Sequence, residues 1–141
     1  MSSLFIVIPA YNESENIKKT IMDWYPVVEN HNDEGQSRLV IINDGSKDNT
    51  KAEIERAMKQ DSRVRMVSSE KNRGKGNAII AGVSQVEGKY VAFVDADLEL
   101  NPSQLEGYLK KMLDDNKDVV IGCKFHKDSK LDYPFKRKVI S

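Results

Sequence analysis

A mainly parallel α/β fold is predicted by three features of this 141-residue chain: short apolar runs alternate with longer segments of helical period, the alternation repeats four times, and no low-complexity linker interrupts it. The length suits one ordinary domain with a real core and is too short for a two-domain enzyme.

The first strand is expected at Leu4–Ile8. The helix after it sets Ile17, Ile21, Trp24 and Val28 on one stripe, with Asn12 or Ser14 placed to cap it. Leu39–Ile42 reads as the second strand. A helix from about Asn49 to Met58 follows, turning Ile54, Ala57 and Met58 inward, and Val64–Val67 reads as the third strand. Arg73 to Val86 has helical period with Ala78, Ile79, Gly82, Val83 and Val86 on its buried side. It leads to the apolar strand Tyr90–Val94. Asn101-Pro102-Ser103-Gln104 starts another helix, Asn as cap and Pro in the first turn, with Leu105, Tyr108, Leu109, Met112 and Leu113 as its stripe. Val119–Gly122 reads as a fifth strand. An α/β core over residues 1–122 is therefore expected, followed over 123–141 by a basic loop entering an incomplete helix, with six lysines or arginines against two aspartates.

Lysine plus arginine balance aspartate plus glutamate at 22 each, so no whole-chain field recommends a nucleic acid partner. The single cysteine, Cys123, has no internal disulfide partner, and the chain enters its first strand without a basic leader, so a cytoplasmic location is expected. No apolar run approaches the ~20 residues of a transmembrane helix, although work at the cytoplasmic face of a membrane stays open. Oligomeric state is not legible.

Ligands of open α/β sheets bind beyond the carboxyl ends of the strands, which directs attention to the residues after each one. Pro9-Ala10-Tyr11-Asn12-Glu13 offers an aromatic face and a carboxylate, or is simply a strand-to-helix turn. Asp44 in Asn43-Asp44-Gly45-Ser46 has a carboxylate suited to a nucleobase imide N–H, while Asp-Gly-Ser is also ordinary turn chemistry with Asp48 as helix cap. Asp95-Ala96-Asp97 is harder to explain as a turn. Two carboxylates directly after an apolar strand repel each other unless a cation or donors lie between them, and Mg2+ or Mn2+ with substrate phosphates resolves the conflict. Glu99 can add a third oxygen. Arg73-Gly74-Lys75-Gly76-Asn77 opens a helix where free N–H groups and basic side chains favour an anion. It is not a dinucleotide fingerprint, because Ile79 stands where a small residue belongs, nor a Walker A loop, because Lys75 is followed by Gly76.

Taken in order, Ile8-Pro9-Ala10-Tyr11-Asn12-Glu13, Asn43 to Thr50, Asn72 to Ala78 and Val94-Asp95-Ala96-Asp97-Leu98 resemble the inverting GT-A glycosyltransferases of the family 2 type. Within that family the chain resembles the polyprenyl- and dolichyl-phosphate mannose and glucose synthases. The resemblance implies a GT-A, Rossmann-like sandwich with a mainly parallel sheet, and a chain truncated at its C-terminus. It implies a donor site of Pro9, Ala10, Tyr11, Glu13, Asp44, Gly45, Lys75, Asp95, Ala96 and Asp97, in which Pro9, Tyr11, Glu13 and Asp44 hold base and ribose. Asp95 and Asp97 would serve as catalytic residues and metal ligands with Glu99, which departs from the branch's usual Gln. Lys124 and Arg137 would face acceptor phosphate, Lys124 supplying charge without arginine's bidentate fork. The implied reaction moves a hexose from UDP-glucose or GDP-mannose to a polyprenyl phosphate with inversion, with peripheral membrane contact. A glycan or protein acceptor, a nucleotide-sugar-binding module without turnover, and a nucleotidyltransferase are the alternatives.

Overall fold

The computed structural model describes residues 3–32 and 35–123. The chain divides into two compact units, residues 1–102 and 103–141. The first contains β1 (Leu4–Ala10), α1 (Ile17–Asn30), β2 (Arg38–Asp44), α2 (Thr50–Gln60), β3 (Val64–Ser69), α3 (Lys75–Val83) and β4 (Tyr90–Phe93); the second contains α4 (Gln104–Asp114).

The four strands form one sheet in the order β3-β2-β1-β4, and every pairing is parallel. Parallel strands covered on both faces need apolar side chains on both, which is why β1 and β2 read as continuous runs and are buried along nearly their whole length. Alternation sorts them. Phe5 and Val7 of β1 and Val40 and Ile42 of β2 form one cluster with Ala78 of α3, with Val67, Val86 and Val91 packed at its margin. Ile6, Ile8, Leu39 and Ile41 project from the opposite face, the side of α1 and α2. There α1 contributes Ile17, Ile21, Trp24 and Val28, the expected stripe, and α2 contributes Ile54. Each such side chain stabilises the fold by about 1.5–3 kcal/mol relative to exposure.

α3 lies close on the sheet because Gly82 faces it. A Cβ there would stand 2.5 Å from Cγ1 of Val7 and 2.9 Å from Cδ1 of Ile42. Gly82→Ala is therefore expected to lower stability by about 1–3 kcal/mol in urea unfolding, overriding the ~1 kcal/mol that alanine gains in helix propensity. Equal or higher stability would show that α3 has room to lift.

Several expected details are corrected. Among the described residues no fifth strand forms at 119–122: the run has no ladder partner, and Val119 and Ile121 are exposed. An extended segment without a partner leaves its backbone groups to water. α3 spans only Lys75–Val83, because Gly74 sits at φ +88 and the chain tightens into i→i+3 turns at Gln85 and Val86. The N-cap of α1 is Asn16 instead of Asn12 or Ser14, and that of α4 is Ser103 instead of Asn101. Met58, Val83 and Leu113 lie on the edges of their stripes and are exposed, while Leu105 is buried as expected.

Candidate functional site

The strand order reverses beside β1: β2 lies on one side of it and β4 on the other, so the loops leaving β1 and β4 part and open a crevice at their carboxyl ends. A cavity of about 380 Å³ lies there. Pro9, Ala10, Tyr11 and Glu13 line it from the end of β1, Asp44 from the end of β2, Lys75 from the start of α3, and Asp95, Ala96 and Asp97 from beyond β4. Of the sequence-predicted donor residues only Gly45 is not on the lining. Asn72 and Ala78 line it as well, and neither was singled out; both fall inside the Asn72–Ala78 motif, whose conspicuous residues were its glycines and cations.

Gly45 serves the site from behind. It is buried at φ +72, and a Cβ would stand 2.5 Å from the carbonyl carbon of Lys71 and 2.6 Å from the amide nitrogen of Asn72. The turn after β2 can therefore press against the loop after β3 only with glycine here. Asp44 fastens that contact. Only 4% exposed, its Oδ1 accepts the Arg73 amide and its Oδ2 the Gly74 amide, each at 2.9 Å, and the Asn72 side chain also accepts from Gly74. The carboxylate thus sets where α3 begins, and each oxygen keeps the capacity to accept a second hydrogen bond.

The loop after β1 is stitched to the loop after β2 by four bonds. The amides of Asn12, Glu13 and Ser14 donate to Oγ of Ser46, Oγ1 of Thr50 and Oδ2 of Asp48, and the Lys47 amide donates to Oδ1 of Asn12. Asn12 adopts φ +54, a conformation Asn tolerates better than most residues. Slight desolvation acts to raise the pKa of the exposed Asp48 carboxyl, but bonds from the hydroxyl and amide of Thr50 and from Ser14 outweigh it and lower the pKa from the ordinary 3.8 to about 2. A depressed carboxyl stabilises the fold above the unfolded pKa and loses that contribution as pH falls through the folded one. Between about pH 4 and pH 2 the wild type should therefore lose stability more steeply than Asp48→Ala in acid titrations followed by circular dichroism; parallel curves would show that the stitch carries no linkage.

Beyond β4 the backbone is held from two sides. The Val94 amide donates to the Val7 carbonyl, and the buried Thr20 hydroxyl lies 3.0 Å from the Ala96 carbonyl and 3.1 Å from that of Asn16, sharing its proton between them. Thr20 was not anticipated, although a hydroxyl on the apolar stripe of α1 signals a buried acceptor. Ala96 points inward and the flanking Asp95 and Asp97 stay accessible. Asp95 Oδ1 lies 2.5 Å from Lys75 Nζ. Asp97 has no cationic partner among the described residues; its Oδ1 accepts the Glu99 amide across Leu98, which is held at φ +62.

Two oxygen donors at the rim of a cavity fit a hard divalent cation that keeps most of its shell for substrate phosphate and water. They do not make a closed cage. Among the described residues no three His, Cys, Asp or Glu side chains converge to hold a metal, and Glu99 does not line the cavity. Lys124 and Arg137 lie outside the described residues.

The sequence profile described as Glycosyl transferase family 2 matches residues 5–139. Among curated relatives, a dolichyl-phosphate beta-glucosyltransferase of Trichomonas vaginalis is 32% identical over 143 residues, covering 95% of this chain and 44% of the relative. A dolichol-phosphate mannosyltransferase of Pyrococcus furiosus is 30% identical over 139 residues, covering 96% of this chain and 37% of the relative. An uncharacterised protein of Methanocaldococcus jannaschii is 34% identical over 129 residues, 88% of this chain and 53% of its own. The chain thus spans about half the length of these relatives, or less. Of solved structures, a Pyrobaculum calidifontis mannosyltransferase in complex with GDP-Man and Mn2+ superposes with a TM-score of 0.68 at 21% identity, over 79% of this chain and 32% of that one. Glucosyl-3-phosphoglycerate synthase of Mycobacterium tuberculosis, in complex with Mn2+, UDP and glucosyl-3-phosphoglycerate, gives 0.61 at 27% identity over 79% and 39%.

Proposed function

The chain belongs to glycosyl transferase family 2 and has the GT-A fold, and from that premise we propose that its cavity holds a nucleoside diphosphate sugar whose hexose passes, with inversion, to a polyprenyl phosphate. The observation that carries this proposal is the convergence of four separate sequence motifs on one cavity at the reversal of strand order. Tyr11 and Glu13 with Asp44 would bind base and ribose, and Lys75 with the first amides of α3 would meet the diphosphate. Asp95 and Asp97 would hold Mg2+ or Mn2+. Bound there, the cation would neutralise charge building on the departing diphosphate. Mn2+ in both solved neighbours supports that choice of ion class.

The acceptor class is supported by the dolichyl-phosphate relatives and by a chemical consideration. A phosphate oxygen is already anionic at neutral pH and attacks without a general base, whereas an alcohol needs one. A polyprenyl phosphate acceptor would place the reaction at the cytoplasmic face of a membrane; no helix among the described residues is long and apolar enough to cross one. Residues 1–122 would form the donor-binding core and the basic segment 123–141 would meet the acceptor.

Incubation with labelled UDP-glucose or GDP-mannose and short polyprenyl phosphates tests the reaction: lipid-linked sugar is expected, and donor that is bound but never consumed would reduce the chain to a binding module. In the same assay Arg137→Ala should lower transfer at least about fivefold while leaving nucleotide affinity nearly intact, because a guanidinium fork there offsets repulsion between two phosphates. Transfer at the wild-type rate would return the basic segment to solvent.

A further inference from the structure

Building on the donor site proposed above, we infer that Lys75 is a counter-ion that occupies Asp95 until a nucleoside diphosphate draws it away, so that the cavity takes up its cation with or after its nucleotide. The ammonium of Lys75 lies 2.5 Å from Asp95 Oδ1, on an oxygen that a divalent cation would need. Both backbones are fixed. Lys75 is the first residue of α3, whose entry is clamped by Asp44 and Asn72. Asp95 sits between the Val94 amide, tied to Val7, and the Ala96 carbonyl, tied to Thr20. The side chains, in contrast, are exposed, at 60% for Lys75 and 48% for Asp95, so their pairing is weak and exchangeable.

An ammonium and a dication repel each other and compete for one carboxylate, so a cation arriving alone must first displace the lysine. A diphosphate reverses the balance. It brings more negative charge to Lys75 than Asp95 does, and the flexible four-carbon stem lets the ammonium turn toward it while its Cα stays in place. Asp95 is then released as phosphate oxygens become available to complete the cation's shell. Lys75 acts here as a positioning residue for the metal site and as a phosphate ligand afterwards.

A permanent structural ion pair predicts the opposite sign, which makes the test decisive. Mn2+ is titrated alone, without nucleotide, into wild type, Lys75→Met, Lys75→Gln and Lys75→Arg at fixed ionic strength, and free Mn2+ is read by electron paramagnetic resonance. Removing the competing charge should tighten Mn2+ roughly two- to fivefold in Lys75→Met and Lys75→Gln, the range an exposed pair can contribute. Lys75→Arg should stay near wild type, and adding Asp95→Asn to Lys75→Met should abolish the gain. Unchanged, weaker or undetectable Mn2+ binding in both neutral variants would overturn the counter-ion role even if nucleotide still binds with metal. A wild type that binds neither UDP nor GDP with Mn2+ would remove the donor site and this role together.

Discussion

Asp97→Asn is expected to remove most of the Mn2+-dependent part of UDP or GDP binding, a loss of at least about tenfold. Residues that merely support metal ligands already cost about 10–100-fold when changed, and a direct ligand should cost no less. Asp97 is the exposed carboxylate without a cationic partner among the described residues, whereas Asp95 is already paired with Lys75. The amide keeps an oxygen able to accept from Glu99, so the turn across Leu98 should survive and the loss should trace to charge. Isothermal titration of wild type and variant, each with and without Mn2+, reads the effect. A variant that keeps its metal-dependent increment would assign the cation to Asp95 alone or to no site here.

The second large effect is expected at Asp44→Ala, in stability and nucleotide binding together. Two charge-assisted bonds to the Arg73 and Gly74 amides would be lost inside a nearly closed environment. Such bonds contribute about 1.5–3 kcal/mol each but are not additive, so a loss of about 2–4 kcal/mol is expected. For a chain of this size it corresponds to a fall in Tm on the order of 10 °C. Nucleotide affinity should fall with it, because the clamp sets the start of α3 and hence the position of Lys75, while Mn2+ binding in the absence of nucleotide should change far less. Normal UDP or GDP binding with only a lowered Tm would make Asp44 a turn residue and detach it from the donor site.

Most of the sheet was legible because burial on both faces leaves a plain trace: β1 and β2 could hardly be read as anything but covered parallel strands. The stripe of α1 was legible for the same reason. Periodicity fixes which residues share a face but not how far a neighbour covers it, so Met58, Val83 and Leu113 were placed inside and lie exposed. The segment 119–122 has strand composition, yet pairing is a relation to another segment and composition carries no record of the partner. At the site, residue types at strand ends pointed to the lining of the cavity. The bonds that hold it were not visible. Asp44 reaches amides 29 and 30 residues away, Thr20 a carbonyl 76 residues away, and no local spacing encodes contacts of that range. Asp48, expected as the cap of its own helix, is displaced from that position by Asn49, and instead accepts the Thr50 amide and hydroxyl and ties down the Ser14 amide of the other loop.

On the proposed function, the cavity beyond β1, β2 and β4 would hold a nucleoside diphosphate through a divalent cation at Asp95 and Asp97. Calorimetric titration of the wild-type chain with UDP and with GDP, each in the presence of Mn2+ and again in chelator, tests it most directly. At least one nucleotide should bind clearly tighter with Mn2+, by about tenfold or more if the cation bridges carboxylate and phosphate. Equal affinity in Mn2+ and in chelator would contradict the metal role of Asp95 and Asp97, and no binding of either nucleotide under both conditions would contradict the donor site itself.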